Sequence, residues 1–324
     1  MPKDKTKLSV KPFKPAKTYK SGYLDVGEGH QIYYELSGNP KGKPVLYIHG
    51  GPGGGFSENA KKFFNPKVYN MIHFDQRGSG KSKPFASIKH NTTAFLVRDM
   101  KNILDFLGIK KVILFGGSWG STLSLVFAIT YPHMVKAMVL RGIFLASKKE
   151  NDYFTYESKA MYPEVWNKFA SLVPEKVIRQ RKIEEYYYSM ITHSDKKIRD
   201  KFTLAWAEFE FSLSKLRYSK EYVEESIKEV KPDAFSTIEL HYLVHKCFLP
   251  EDFILKNAAK ISHIPTALVQ GRYDCVCSPS AAYALHKKMK NSKIYFTISG
   301  HSSGDLENET QLIAEMKKLE KMKF

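Results

Sequence analysis

Short apolar segments alternate along the chain with longer segments of helical periodicity, and this alternation restricts the fold more than any other feature. Residues 45–48 and 112–115 are apolar runs that stop at or near glycines, as buried parallel strands do. Between them, residues 92–107 carry apolar side chains at helical spacing, and Gly108 follows as a stop signal. Further strands are predicted at residues 23–26, 31–36, 69–74, 135–140, 266–270 and 294–298, and further helices at 121–131 and 307–322. The pattern predicts an α/β fold with a doubly wound, mostly parallel sheet.

The alternation is interrupted once. After Phe144 it stops, and residues 146–255 show aromatic-rich helical stretches instead, as at residues 177–192 and 198–216. We interpret this segment as an inserted all-helical cap domain. The sequence therefore predicts a basic arm over residues 1–20, a core over 21–145 and 256–324, and a cap over 146–255.

Several classes of protein are excluded by composition. With 43% hydrophobic residues among 324, the chain can bury a sizeable core, which argues against general disorder. Its three cysteines cannot form a disulfide framework, which favours a reducing compartment. Apolar runs stay short of the roughly 20 residues of a membrane span, and the N-terminus lacks the apolar region of a signal peptide. We therefore expect a cytoplasmic protein without a membrane partner.

The chain has a strongly basic balance, with 51 Lys and Arg against 33 Asp and Glu, a net charge of +18. The bases are scattered rather than arranged in a stripe interleaved with aromatic residues, so a solvated surface is favoured over a nucleic-acid partner. One local cluster is the arm over residues 1–20, with seven lysines and a single aspartate. Residues 146–255 contain 18 bases and 19 acids, so the excess charge belongs to the core and the arm.

A candidate nucleophile, Ser118, lies in the sequence Gly-Gly-Ser-Trp-Gly at residues 116–120. This G-x-S-x-G pattern lies between a predicted strand and a predicted helix, which is the context that the motif requires. Glycines flank the serine because the sharp strand-to-helix turn leaves little room for neighbouring Cβ atoms. The turn would expose the hydroxyl of Ser118 at the helix N-terminus.

A catalytic serine needs a base and an acid that orients the base. Asp274 follows the predicted strand at residues 266–270, and of eleven histidines His301 alone lies between the last strand and the final helix. Carboxyl ends of parallel strands meet at one edge of a sheet, and the order Ser118, Asp274, His301 is that of α/β-hydrolases. For the oxyanion hole, the motif predicts the backbone N–H groups of Trp119 and of Gly51 in the glycine loop at residues 49–55.

Nucleotide and metal sites are disfavoured by spacing. The glycine loop does not match G-x-G-x-x-G, and the Gly-Lys-Ser at residues 80–82 has Asp75 where a P-loop needs glycine. Cys275 and Cys277 lack metal-site partners, and the residues from His241 to His245 lack the glutamate of H-E-x-x-H. We predict no metal and no cofactor.

At these motifs the chain resembles the proline iminopeptidases of the α/β-hydrolase fold, from about Tyr23 to the C-terminal helix. The resemblance is carried by residues 49–55, 75–80, 116–121, 140–144 and 271–274. It implies release of N-terminal proline from small peptides through an acyl-enzyme on Ser118, without metal or cofactor. Small peptides with a free N-terminal proline are thus the expected partners.

The resemblance also implies residues that bind the substrate. Glu210, in Trp-Ala-Glu-Phe-Glu, and Glu239, in Ile-Glu-Leu-His-Tyr, match cap carboxylates that hold the free amine. A buried ammonium needs such partners, because an unpaired buried cation is costly. Phe144, Tyr153 and Cys277 would line the proline pocket, with Arg141 near the amine. Two departures are Phe209, where the family has Trp, and Glu208, an additional acid.

Two other functions fit the same residues. A general carboxylesterase or amidase could use the same triad, and a catalytically silent binding module could use the same fold. Epoxide and haloalkane hydrolysis are disfavoured, since those relatives use Asp where this chain has Ser118.

Overall fold

Strands form one sheet in the computed structural model, which describes residues 10–324; the first nine residues of the predicted arm lie outside this range. The eight strands among the described residues are β1 (Thr18–Asp25), β2 (Gln31–Gly38), β3 (Lys43–Ile48), β4 (Tyr69–Phe74), β5 (Val112–Ser118), β6 (Val135–Ile143), β7 (Thr266–Gly271) and β8 (Ser292–Thr297). Their spatial order is β1-β2-β4-β3-β5-β6-β7-β8. β2 pairs antiparallel with β1 and β4, and the remaining neighbours are parallel. The predicted mostly parallel sheet is confirmed.

Twelve α-helices follow or connect these strands within the described residues. Those around the sheet are α1 (Thr93–Phe106), α2 (Trp119–Thr130), α11 (Pro279–Lys288) and α12 (Leu306–Leu319). Between β6 and β7 lie α3 (Lys148–Thr155), α4 (Pro163–Ala170), α5 (Glu175–Arg179), α6 (Ile183–Ile191), α7 (Lys196–Ser214), α8 (Lys220–Val230), α9 (Pro232–Val244) and α10 (Phe253–Asn257). Short 3-10 helices occur at Glu58–Phe63, Pro132–Met134, Glu157–Ala160, Lys246–Phe248 and Ala258–Ile261.

Alternate residues of the strands β3 to β7 face two different hydrophobic cores, as the pleat of a sheet covered on both faces requires. Ile113 of β5 packs with Leu312 of α12, on one face. Leu114, the next residue, belongs to the other core, with Leu104 of α1 and Leu125 of α2. This second core continues into the inserted helices through residues such as Trp206. The insertion is therefore packed against the sheet domain through a shared apolar interior.

Two of the predicted domain limits fall inside secondary-structure elements. β1 begins at Thr18, so the last three residues of the predicted arm are part of the sheet. α10 runs from Phe253 to Asn257 and crosses the predicted end of the cap at residue 255. The division into arm, core and cap stays a prediction.

Among residues 10–324, the helices are too short or too polar to cross a lipid bilayer.

Candidate active site

Ser118 is the last residue of β5 and the N-cap of α2, at the turn predicted from its flanking glycines. Its backbone has φ 57° and ψ −130°, a conformation that non-glycine residues rarely adopt. A Cβ atom on Gly116 would lie 2.4 Å from the Gly120 carbonyl oxygen, and one on Gly120 would lie 2.2 Å from that of Ile48. Only glycine fits at both positions, and the turn between them holds Ser118 in its strained conformation.

Asp274 and His301 form a hydrogen-bonded pair at the ends of β7 and β8. The Nδ1 atom of His301 lies 2.9 Å from Oδ2 of Asp274, and both side chains are buried. Burial lowers the pKa of His301 below its usual value, with the positive charge of Arg141 acting in the same direction; the Asp274 carboxylate opposes both. His301 is therefore neutral at physiological pH and able to accept a proton.

The Asp274 carboxylate is held by three further donors. Its Oδ1 atom accepts from the backbone N–H groups of Val276 and Cys277, at 2.9 and 2.7 Å. Its Oδ2 atom accepts from the amide Nε2 of Gln270, at 3.0 Å, and the Oε1 atom of Gln270 accepts from the N–H of Ile143. Sequence reasoning missed Gln270, although it is the last polar residue before the turn that leads to Asp274.

The end of β6 contacts both the residue before Ser118 and the catalytic candidate His301. The Arg141 guanidinium lies against Gly117, where a Cβ atom would be only 2.5 Å from Nη2. Its Nη1 atom donates to the carbonyl oxygen of His301 at 2.7 Å. A Cβ on Gly142 would lie 2.9 Å from Cε1 of His301. The strand end therefore packs between the serine turn and the histidine loop.

The glycine loop that follows β3 lies beside the serine. A Cβ atom on Gly50 would lie 3.3 Å from Cβ of Ser118, and Gly51 has φ +101°. Trp119 is the first residue of α2, so the helix offers no acceptor for its N–H. The two predicted oxyanion donors thus belong to the loop beside Ser118 and to the residue that follows it, and their role stays a prediction.

A small cavity of about 30 Å³ opens next to the serine. Five predicted residues line it: Gly51, Ser118, Phe144, Glu239 and Cys277. Five residues not predicted also line it: Glu150, Asn151, Phe154, Leu243 and Val276. These five come from α3, α9 and the turn after Asp274, and no local motif distinguishes them from ordinary helix or loop residues.

Glu210 on α7 and Glu239 on α9 form a pair of buried carboxyl groups, each of which influences the pKa of the other. Their residues are 5% and 6% exposed, and Oε2 of Glu210 has no partner among the described residues. Trp206 donates its indole N–H to Glu239 at 2.7 Å. Burial raises the pKa of Glu210 to about 7, and burial together with Glu210 raises the pKa of Glu239 well above its usual range. Two such neighbours repel each other when both are ionised, so the pair favours retaining a proton or binding a cation.

The remaining predicted residues lie outside the cavity lining. The Tyr153 hydroxyl donates to the backbone carbonyl of Asp274 at 2.8 Å, which places it behind the acid. Arg141 contacts His301 as described and does not line the cavity.

The two departures on α7 have different surroundings. Glu208 forms a surface ion pair with Lys168 at 2.5 Å, on a different side of α7 from Glu210, because two positions along a helix are about 200° apart. Phe209 is buried and stacks on Phe169 with ring centroids 3.9 Å apart. It also packs at 5.2 Å against Phe154, which lines the cavity. Glu208 thus points away from the site. Phe209, where the family has Trp, does not line the cavity but contacts Phe154, which does.

Comparison with known proteins relates this geometry to a family. The profile of the α/β-hydrolase fold matches residues 43–305. A proline iminopeptidase of Arabidopsis thaliana is 40% identical over 311 residues, which cover 95% of this chain and 81% of that protein. One from Neisseria meningitidis serogroup A is 43% identical over 291 residues, covering 89% of this chain and 92% of the relative. The solved structure of a Mycobacterium smegmatis proline iminopeptidase has a TM-score of 0.64 at 15% identity, covering 93% of this chain and 97% of that one; at this identity the likeness concerns the fold.

Proposed function

Because the chain belongs to the proline iminopeptidases, within the α/β-hydrolase fold family, we propose that it is a serine exopeptidase that releases N-terminal proline from small peptides. The observation that carries the proposal is the position of Glu239, which lines the same cavity as Ser118 and has Glu210 as its neighbour. A general esterase has no need for two buried carboxyl groups beside its nucleophile, since burying them is unfavourable without a cationic partner.

In the proposed reaction, the Ser118 hydroxyl attacks the carbonyl carbon of the first peptide bond while His301 accepts its proton. Asp274, through its contact of 2.9 Å, keeps the imidazole in the orientation and tautomer that this step needs. The N–H groups of Trp119 and Gly51 stabilise the negative charge on the carbonyl oxygen. His301 then donates the proton to the leaving amine, and a water molecule hydrolyses the acyl-enzyme with His301 again as base.

Recognition of the free N-terminus falls to Glu210 and Glu239 in this proposal. The secondary ammonium of proline would replace the proton that the pair otherwise retains, so binding turns an unfavourable charge pair into a favourable one. Phe144 and Cys277 line the cavity and supply apolar contact for the ring. Tyr153 and Arg141 contribute by holding Asp274 and His301.

A comparison of three peptides tests the proposal: Pro-X, Ala-X and N-acetyl-Pro-X, where X is the same residue. We expect cleavage of Pro-X and resistance of the acetylated peptide, which lacks the cation. Glu210→Gln should lower kcat/KM for Pro-X by about 30-fold or more, since it removes one partner of a buried charge pair.

Glu208→Gln is the matched control, because it changes an acid of the same helix that forms only a surface ion pair. Equal cleavage of Pro-X and N-acetyl-Pro-X, unaffected by Glu210→Gln, would instead identify a general carboxylesterase or amidase. Failure of a fluorophosphonate to label Ser118 would favour the silent binding module.

We propose the cytoplasm as the location of this activity. All three cysteines are free thiols, as expected in a reducing compartment. Recovery of the native protein from a secreted or membrane fraction would contradict this.

A further inference from the structure

The segment Asp75-Gln76-Arg77-Gly78 directly follows β4 and takes no part in the proposed reaction steps. Asp75, Gln76 and Arg77 are nevertheless each at most 2% exposed. Three consecutive polar residues are seldom buried without a set of specific partners. Their partners therefore indicate what the segment does.

Gln76 bridges the two backbone segments that carry the proposed oxyanion donors. Its Oε1 atom accepts a hydrogen bond from the indole Nε1 of Trp119 at 2.9 Å. Its Nε2 atom donates to the backbone carbonyl of His49 at 2.9 Å. Trp119 supplies one proposed donor, and His49 begins the glycine loop that supplies the other at Gly51. A single side chain thus joins both halves of the oxyanion hole.

The backbone of Gln76 is itself fixed in position. Its N–H donates to Nε2 of His49 at 3.0 Å, so Nε2 carries no proton and Nδ1 donates to the carbonyl of Gly50 at 2.9 Å. Burial lowers the pKa of His49 to about 4, which keeps the ring neutral and this pattern intact at neutral pH. Asp75 accepts from the N–H of Phe56, at 3.0 Å, just beyond the glycine loop. The loop is held at both ends by the same segment.

We propose that Gln76 is a positioning residue that sets the spacing of the Trp119 and Gly51 N–H groups around the oxyanion. This inference rests on the proposed function and identifies a residue on which kcat of the proposed reaction depends. An oxyanion hole works only when both donors reach the position that the charged oxygen will occupy, within about 2.7–3.1 Å. Without the bridge, the indole and the loop could move independently, and the donors would lose their common geometry.

The test uses Gln76→Met, which has a similar length and no hydrogen bonds, and Gln76→Glu, which can accept from Trp119 but, when ionised, cannot donate to His49. We expect kcat for a prolyl anilide to fall by about 10- to 100-fold in both variants. This decrease does not exceed the one expected when an oxyanion donor is removed altogether. KM should stay within about twofold of the wild-type value. Tyr69→Phe is the matched control. It removes one buried hydrogen bond, to the Met316 carbonyl, at the opposite end of β4.

Inhibition by prolinal separates positioning from general distortion. Ser118 Oγ bonds to the aldehyde carbon, the C=O double bond becomes a single C–O bond, and the hydroxyl proton passes to His301. The resulting oxyanion occupies the hole, whereas free proline has no such group. In the Gln76 variants we expect the inhibition constant of prolinal to increase by about the same factor as kcat decreases. The inhibition constant of proline should be unchanged.

Wild-type kcat in either folded variant, or an equal loss of prolinal and proline binding, would overturn the proposal. Hydrolysis of p-nitrophenyl acetate keeps the test independent of the peptide substrate, since it needs the oxyanion hole and not the amine site. If the wild-type enzyme cleaves this ester but no prolyl peptide, the proposed function fails, and the effect of Gln76→Met on ester hydrolysis still decides the role of Gln76. Thermal unfolding of each variant confirms that it is folded.

Discussion

At the scale of single residues, the site combines groups that are unfavourable for folding with groups that hold them in place. Glu210 and Glu239 are buried neighbours that repel each other when both are ionised, and the backbone of Ser118 is strained. Neither the burial of the carboxyl pair nor the strained backbone of Ser118 is needed to fill the core. Functional sites often retain such features because they become favourable when the substrate binds, and the surrounding fold supplies the stability.

The raised pKa of Glu210, about 7, predicts the acid side of the pH profile. Below pH 7 the carboxyl pair retains protons and can no longer neutralise the substrate ammonium, so kcat/KM for prolyl substrates should fall as the pH decreases from 8 to 6. Burial also lowers the pKa of His301, which shifts protonation of the proposed base toward lower pH. Measuring kcat/KM against pH for wild type and Glu210→Gln checks the assignment: an unchanged acid limb in the variant would contradict it.

The same shift has a consequence for stability. A carboxyl group whose pKa is higher in the folded state than its ordinary 4.5 binds protons more tightly when folded. Its contribution to stability is therefore lost as the pH rises from about 4.5 through about 7. Glu210→Gln should raise the melting temperature relative to wild type more at pH 8 than at pH 5. The opposite order would mean that the carboxylate is stabilised in the folded protein.

At the scale of elements, the loops that carry the site are tied to the helices behind them. Arg77, in the segment after β4, makes a bidentate ion pair with Asp99 of α1, at 2.6 and 2.9 Å. Its guanidinium also donates to the carbonyl of Val26, just after β1. One buried cation thus connects a loop, a helix and the N-terminal hairpin.

Asp99→Asn should destabilise the protein by about 3–5 kcal/mol, because it leaves the buried guanidinium without its counter-charge. Asp105→Asn, on the same helix, is the control: its ion pair with Lys101 is exposed, and its loss should cost less than about 1 kcal/mol. Urea unfolding measures both. Similar unfolding midpoints for the two variants would show that the buried pair is not a determinant of stability.

At the scale of the whole molecule, the distribution of charge along the chain is more informative about substrate binding than the net charge. The net charge is +18, whereas residues 146–255, which carry Glu210 and Glu239, contain 18 bases and 19 acids. We therefore expect a cationic substrate to be repelled by the core and the arm, and not by the inserted helices. The electric field of the protein should therefore change the rate at which peptides bind, and the direction of the change should depend on the net charge of the peptide.

Salt should change the preference between peptides of opposite charge. We expect the ratio of kcat/KM for Pro-Glu to that for Pro-Lys to decrease between about 0.01 and 1 M salt, as the Debye length shrinks from about 30 to 3 Å. A ratio independent of salt would indicate that the surface charge does not influence binding.

Features that depend on neighbouring residues were accessible from sequence. The periodicities predicted the eight strands and the helices α1, α2 and α12, and the glycines around Ser118 predicted its turn, because both follow from backbone sterics over a few residues. Likewise, the order of strands predicted that Asp274 and His301 meet, since parallel strands end at one edge. These expectations needed no knowledge of distant contacts.

Tertiary structure decided the side-chain contacts that follow neither from strand order nor from a local motif. Glu210 and Glu239 lie on different helices, and only the packing of α7 on α9 makes them neighbours and raises their pKa values. The direction of a helix face likewise separates Glu208 from the site. Gln76 and Gln270 have no local signature, because an amide becomes specific only through the donors and acceptors that the fold brings to it. Local sterics thus determined the positions of the catalytic elements, and long-range packing determined the chemistry of the pocket between them.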